Sequence, residues 1–353
     1  MCANLYDRGL NTMGEIRYFC TYFDHRYLPR GVALYRSLRR VLPDAVLYVL
    51  CLSSECFESL RRARLPGLFP ISLGELEIFE TELARAKAVR SLIEYYFTLT
   101  PVFMRFLFRR VSTIDFLTYL DADLYFFSSP EPLLSGELQN SSVGIVSHRF
   151  PSRLKERERY GHFNVGWVSF RRNQEGLACL DWWRARCLEW CFDRCEPERF
   201  ADQKYLDSFP KLFTGVCSIS HRGANVAPWN LFRAKFEKRN SRLFVDGDPL
   251  LFFHFHGVKR VAGNVFSLGC SEYGVRPGPL LKRNVFGCYL RELCAIEKEF
   301  PSCDQGFGLT RAGLEKMKVT SGKIEKIGLR LWGHCIKGIL RHHYGIVCGP
   351  FFF

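Results

Sequence analysis

Two aspartates separated by one alanine, Asp121-Ala122-Asp123, follow directly on the apolar run Phe116-Leu117-Thr118-Tyr119-Leu120. A strand that ends in two carboxylates can present both to one hard divalent cation, because such ions take several oxygen ligands. In open α/β sheets the carboxyl ends of strands are where ligands bind. A cation held there bridges the oxygens of a diphosphate and offsets the charge that builds on a departing nucleotide. The competing reading is a solvated turn, since aspartate is common where strands end.

A second cluster, His254-Phe255-His256-Gly257, lies late in the chain. On a strand, residues two apart share a face, so both imidazoles point the same way. Imidazole is a ligand for manganese-like ions, and the glycine lets backbone approach a phosphate. Lys259 can then neutralise a phosphate charge. Taken alone, the pair reads equally as two ordinary surface histidines. A third group, Cys187, Cys191 and Cys195, recurs every fourth residue along one predicted helix. Zinc and iron–sulfur centres need turn-based or tighter spacings and a fourth ligand, so core packing is the better reading.

These groups need a scaffold, and the first two thirds of the chain alternate strand-like and helix-like patterns, which predicts an α/β domain. Strands are expected over 16–23, 45–52, 69–72, 116–120, 142–147, 163–170 and 250–256. Helices are expected over 31–40, 85–97 and 176–190, with Pro101 breaking the second before another helix over 102–108. Trp182 and Trp183 read as core aromatics of the last helix rather than as an acceptor groove. The run 153–159 reads as a solvated charged face. From 266 to 305 the pattern is too weak for elements to be assigned.

The chain has 353 residues and 47% hydrophobic content, enough for a sizeable core, and 24% charged residues, which excludes a disordered class. No stretch reaches the roughly 20 apolar residues needed to span a bilayer. Residues 1–14 lack a charged-then-apolar leader pattern, so a cytoplasmic location is expected. Fifteen cysteines cannot all pair, and in the cytoplasm they read as reduced thiols packed as small hydrophobes. Net charge is +14, a surplus suited to an anionic substrate, an anionic membrane or nucleic acid.

Much of the surplus sits in one place. Residues 311–341 carry eight basic side chains against Glu315 and Glu325. On a helix, Lys323, Lys326, Arg330, Lys337 and Arg341 fall in one sector, and Ile324, Leu331, Trp332, Ile336, Ile339 and Leu340 spread over the other side. That pattern fits an interfacial helix on an anionic membrane, although Gly328, Gly333 and Gly338 also allow a helix packed back on the domain.

Five motifs in order give the chain a family resemblance: Tyr22 to Tyr27 after the first strand, Asp121-Ala122-Asp123, Phe163-Asn164-Val165-Gly166, Asp202-Gln203, and His254-Phe255-His256-Gly257. Over roughly residues 16–263 the chain resembles the GT-A glycosyltransferases related to glycogenin and the bacterial lipooligosaccharide galactosyltransferases. The resemblance implies a GT-A fold, a Rossmann-like mixed sheet flanked by helices. It also implies transfer of a hexose from a nucleotide-diphosphate sugar, a UDP-sugar, to a saccharide or lipid-linked acceptor, with Mn2+ or Mg2+ as cofactor. Asp121, Asp123 and His254 match the family's metal ligands, and His256 shares their face. Tyr22, Asp24 and Tyr27 fall where members hold base and ribose, with Arg26 in place of the usual asparagine. Lys87, Arg90, Asn164, Gly257 and Lys259 match donor-binding positions. Asp202 and Gln203 match the catalytic pair beside the transferred sugar. No pair of glutamates accompanies them, which fits the retaining relatives. Asp202 also reads as a helix N-cap, and Asn164 as a turn residue.

The resulting organisation is a flexible N-terminus (1–14), a catalytic domain (15–265), an irregular accessory segment (266–310) and a basic amphipathic tail (311–353). The tail suggests a peripheral place on the cytoplasmic face of the inner membrane. Among rivals, a sugar nucleotidyltransferase needs a Gly-rich basic loop after the first strand, where this chain has Thr21-Tyr22-Phe23-Asp24. A nucleic-acid binder needs basic residues interleaved with exposed aromatics across a sheet, so no nucleic-acid partner is expected. A glycan-binding protein without catalysis is the remaining alternative.

Overall fold

The computed structural model describes residues 16–300, 344–348 and 351–352. The flexible N-terminus and the basic stretch 311–341 anticipated from the sequence lie outside them. The expected mixed α/β architecture is present. Its first eight strands are β1 (Tyr18–Phe23), β2 (Val46–Cys51), β3 (Leu68–Ser72), β4 (Phe116–Leu120), β5 (Leu124–Phe126), β6 (Val143–Ser147), β7 (Phe163–Arg171) and β8 (Val216–Ile219). Seven of them form one sheet in the order β3-β2-β1-β4-β7-β6-β8, with β5 paired elsewhere. Strands β1 to β4 run parallel to one another, and β7 runs antiparallel between β4 and β6. Every residue of β7 but the last is buried, as a strand covered on both faces should be.

Helices α1 (Leu28–Val41), α2 (Ser54–Ala63), α3 (Leu73–Phe79), α4 (Glu82–Val89), α5 (Leu92–Arg110) and α6 (Gln174–Glu189) follow in chain order. Two hydrophobic clusters form the core. One includes Phe19, Leu34, Trp167 and Phe252, and the other includes Phe103, Phe170, Trp183 and Phe209. Trp183 is fully buried and Trp182 packs edge-on against Tyr205 and Phe209, so the tryptophan pair is core.

Helices α2 and α3 fall where no helix is expected, and boundaries elsewhere differ from the sequence expectation at one proline and one serine. Helix α5 runs unbroken through Pro101. Val102, Phe103 and Met104 are fully buried, and that packing outweighs the roughly 3 kcal/mol that an interior proline costs. The Phe97 carbonyl, which proline leaves without its usual donor, lies 3.3 Å from the Thr100 hydroxyl. The break falls earlier, at Arg90-Ser91, where the Glu94 carboxylate accepts from the Ser91 amide and hydroxyl at 2.8 and 2.6 Å. Such a capping box starts a helix. Further on, residues 266–300 are not devoid of elements: Gly287–Glu299 is a helix that buries Tyr289, Leu290, Leu293 and Ile296. Among the described residues no helix is long and apolar enough to cross a membrane.

Candidate functional site

Strand β4 delivers its last residue, Leu120, into a tight turn closed by the Leu124 amide donating to the Asp121 carbonyl at 3.1 Å. Asp121 and Asp123 therefore sit on one turn at the carboxyl edge of the central sheet. Strand β5 then leaves that sheet and pairs antiparallel with the strand Phe252–His254, matching Leu124 with His254 and Phe126 with Phe252. The Phe255 amide extends this pairing onto the Asp123 carbonyl at 3.0 Å. A backbone ladder thus carries the late histidines to the early aspartates.

The side chains converge. His254 Nε2 lies 3.1 Å from Asp123 Oδ1 and 3.6 Å from Asp121 Oδ2. One ligand atom from each of Asp123, His254 and His256 falls within 4.8 Å of the others. Asp121 also accepts from the Tyr119 hydroxyl at 2.9 Å. Burial pushes the Asp121 carboxyl up to about 6, against the opposing pull of His254. Burial also works against ionisation of Asp123, but the adjacent His254 imidazole outweighs it and holds the group below the usual carboxylate range. His254 moves the other way: burial disfavours its charge, and the two aspartates raise its pKa in spite of it.

A third buried carboxyl, Asp202, accepts from Thr100 at 2.8 Å and is pushed up to about 7, chiefly by burial. Three carboxyls thus crowd a region where the His254 imidazole is in direct contact with two of them, a concentration of acidic groups that suits a metal ion. The donor set, two carboxylates with two imidazoles, also fits a manganese-like divalent cation.

These groups floor a cavity of about 910 Å³, within the size range of small-molecule sites. Tyr22, Asp24 and Tyr27 line one side, and Asn164, Asp202 and Gln203 line another. Asp24 Oδ1 accepts from the amides of Arg26 and Tyr27 at 3.0 Å each, shaping the turn after β1. The Tyr22 hydroxyl lies 3.3 Å from Thr100, and its ring leans on Tyr119. Gln203 donates to the Tyr160 carbonyl at 3.1 Å. Asp202 lies one residue ahead of the N-cap of a short 3-10 helix, Lys204–Ser208, so the N-cap position is Gln203's.

Four expected donor residues stand elsewhere. Lys87, on α4, is exposed and pairs with Glu77 at 2.8 Å. Arg90 is buried, and its guanidinium donates to the carbonyls of Cys187 and Leu188 at 2.8 and 2.7 Å and to Thr98. Lys259 projects from the strand Lys259–Ala262 and is exposed. Gly257, at φ +74°, makes the turn after the histidine strand with Gly269 packed close by. None of the four lines the cavity.

Other residues join the site that no motif marked. His148, directly after β6, is buried, stacks on Phe150 and is held neutral by burial, with its pKa down to about 3. Trp229 sets its ring edge-on to His254 at 5.1 Å and His256 at 5.6 Å. Arg30, buried behind the floor, donates to the Val258 carbonyl and lies over the Tyr27 ring. Arg157, Tyr160 and Tyr273 complete the outer wall. A signal for His148 existed: it ends an apolar strand, as the aspartate pair does. The cysteine series divides, with Cys187 and Cys191 buried and Cys195 exposed at the cavity rim.

Comparison with known proteins adds a kinship. The uncharacterized protein YfnF of Bacillus subtilis is 31% identical over 255 residues, 70% of this chain and 83% of that protein. The uncharacterized protein YfnD of the same organism is 29% identical over 82% of this chain and 94% of its own length. Among solved structures, the galactosyltransferase LgtC, bound to donor and acceptor sugar analogues, superposes at a TM-score of 0.45. It is 17% identical over 68% of this chain and 87% of LgtC. No family model matches the chain.

Proposed function

The chain belongs to the family of Bacillus subtilis YfnF, and we propose from the geometry of its site that it is a metal-dependent glycosyltransferase. In this reading it moves a hexose from a UDP-sugar to a saccharide or lipid-linked acceptor with retention of configuration. The observation that carries the reading is the meeting of Asp121, Asp123 and His254 on the floor of a cavity large enough for a nucleotide sugar. Asp121, Asp123 and His254, with His256 beside them, would hold Mn2+ or Mg2+. A bound ion of this kind supplies Lewis acidity at the diphosphate oxygens.

The protein's own groups do the rest. Tyr22, Asp24 and Tyr27 bind base and ribose on one side of the floor. Across the floor, Asp202 and Gln203 face the sugar. In the transfer, the bond from the anomeric carbon to the diphosphate oxygen breaks, and its electron pair leaves with the diphosphate. The acceptor hydroxyl oxygen bonds to that carbon from the same face and passes its proton to the departing phosphate oxygen. The intervening state is oxocarbenium-like, and Asp202, once ionised above about pH 7, favours its positive charge. The charge of residues 311–341 supports a place at an anionic membrane surface, where a lipid-linked acceptor would be met.

The test is a thermal-shift screen of nucleotide sugars with and without Mn2+, followed by turnover assays on the hits. A rise in Tm that needs both the ion and one UDP-sugar, and that disappears in Asp121→Ala, supports the assignment. A panel in which no nucleotide sugar shifts the melt or is consumed with Mn2+ present rejects it.

A further inference from the structure

The family resemblance sets Asn164 against the donor sugar, but its side chain is already fully engaged. A primary amide offers two N–H donors and two oxygen lone pairs. In Asn164, Oδ1 accepts from the Gly166 amide at 3.2 Å and meets His254 Nδ1 at 3.3 Å. Nδ2 lies 3.1 Å from Gln203 Oε1 and 3.4 Å from His148 Nε2. All four positions are taken within the protein, and the residue is 6% exposed.

The direction of each bond is fixed from outside the cluster. A backbone N–H can only donate, so the atom facing Gly166 is the amide oxygen. Gln203 donates Nε2–H to the Tyr160 carbonyl at 3.1 Å, which turns its Oε1 toward Asn164. His148 Nδ1 lies 3.1 Å from the His162 carbonyl, so that nitrogen carries the proton and Nε2 presents a lone pair. Two backbone carbonyls and one backbone amide therefore set the whole chain of bonds. Gly166 makes room for it: a Cβ there would lie 2.6 Å from Asn164 Oδ1 and 2.9 Å from His254 Nδ1.

We propose that Asn164 is a positioning residue and not a contact to the donor sugar. It holds His254 through its Nδ1–H, so that Nε2 is the ring nitrogen turned toward Asp121 and Asp123. The same amide fixes the face of Gln203, and His148 anchors its far side. The consequence for metal binding rests on the function proposed above, whereas the hydrogen-bond arrangement does not. Histidine ligands commonly donate their other ring nitrogen to a fixed acceptor, and losing that acceptor weakens metal affinity by roughly 10–100-fold.

Three measurements test this: Mn2+ affinity of the nucleotide-free protein by electron paramagnetic resonance, the ratio of UDP to UDP-galactose affinity with Mn2+ present, and nitrogen NMR of 15N-histidine-labelled, metal-free protein at alkaline pH. Asn164→Ser is expected to weaken Mn2+ binding by roughly 10–100-fold, to leave the UDP to UDP-galactose ratio unchanged, and to release the His254 tautomer. Gly166→Ala is expected to do the same. Asn164→Asp still accepts from His254 but cannot donate to Gln203, so it keeps Mn2+ affinity near the parent's while turnover falls.

Asn164→Ser with parental Mn2+ affinity and lost discrimination for the intact sugar nucleotide would overturn the proposal. A parent protein that binds no Mn2+ sinks the transferase reading instead. The nitrogen spectrum then still decides this inference, since a His254 Nδ1 without a proton in the parent contradicts it and Nδ1–H supports it.

Discussion

The acidic and imidazole groups of the cavity floor and the three basic residues expected to serve the same ligand have opposite fates. Asp121, Asp123 and His254 come together because backbone pairing of β5 with Phe252–His254 leaves them no other place. Lys87, Arg90 and Lys259 sit on a helix, a helix end and a peripheral strand, and the first two are consumed by partners of their own. Ladder register fixes a strand-borne group to within an ångström or so, whereas a long cationic side chain goes to whatever acceptor its fold offers. Spacing in sequence therefore predicts ligands on strands better than it predicts counter-ions on helices.

The sharpest way to break this contrast is at the floor. Asp123→Ala should cut turnover of the best UDP-sugar by about a thousandfold, in line with loosening a cation that offsets the charge of the leaving group. Steady-state kinetics across a Mn2+ titration would show it, and an activity that survives the change breaks the floor's side of the comparison. Arg90→Ala should act on stability instead. Leaving the carbonyls of Cys187 and Leu188 without their donor costs about 3 kcal/mol in urea unfolding, with the KM for donor unchanged. A raised KM at parental stability would return Arg90 to the ligand.

Between these extremes lies Asp202, whose folded pKa of about 7 stands well above the usual carboxylate range, chiefly because the group is buried. The folded protein keeps a proton that the unfolded chain has lost, so this group's stability contribution is complete below about pH 4 and is lost as pH rises through about 7. From about pH 5 to pH 7 the loss is roughly 2 kcal/mol. Asp202→Asn should flatten that slope in denaturant melts taken at several pH values. The smallest effect belongs to Lys87→Gln. An exposed pair such as Lys87–Glu77 contributes at most about 0.5 kcal/mol, so both Tm and donor KM should stay at parental values; a higher KM would put this lysine back at the cavity.

What the sequence discloses follows the same division. Six strands of the large sheet are legible because they are short apolar runs bounded by turns, and the floor is legible because its chemistry sits where those runs end; the edge strand β8, four residues long and mostly half-buried or exposed, offers no such run. Pro101 misleads because burial of Val102, Phe103 and Met104 overrides a local preference. Ser91 and Glu94 carried the true helix start in plain view, as a serine followed three residues later by glutamate. The helix Gly287–Glu299 hides behind glycine and cysteine, and its apolar face emerges only once the neighbouring elements are in place. Asn164 is visible as part of a motif, yet its role depends on His148 and Tyr160, which no spacing rule connects to it.

The ladder between β5 and Phe252–His254 also orders events in time. During synthesis the aspartate turn emerges long before its histidine partner, so the full set of candidate ligands does not exist until the late strand is made. Only when the late strand docks does a tight pocket exist, so a loaded ion would stabilise a contact between distant parts of the chain. Metal uptake would then report that the polypeptide has closed on itself, and it would slow reopening of that seam more than unravelling of the parallel strands.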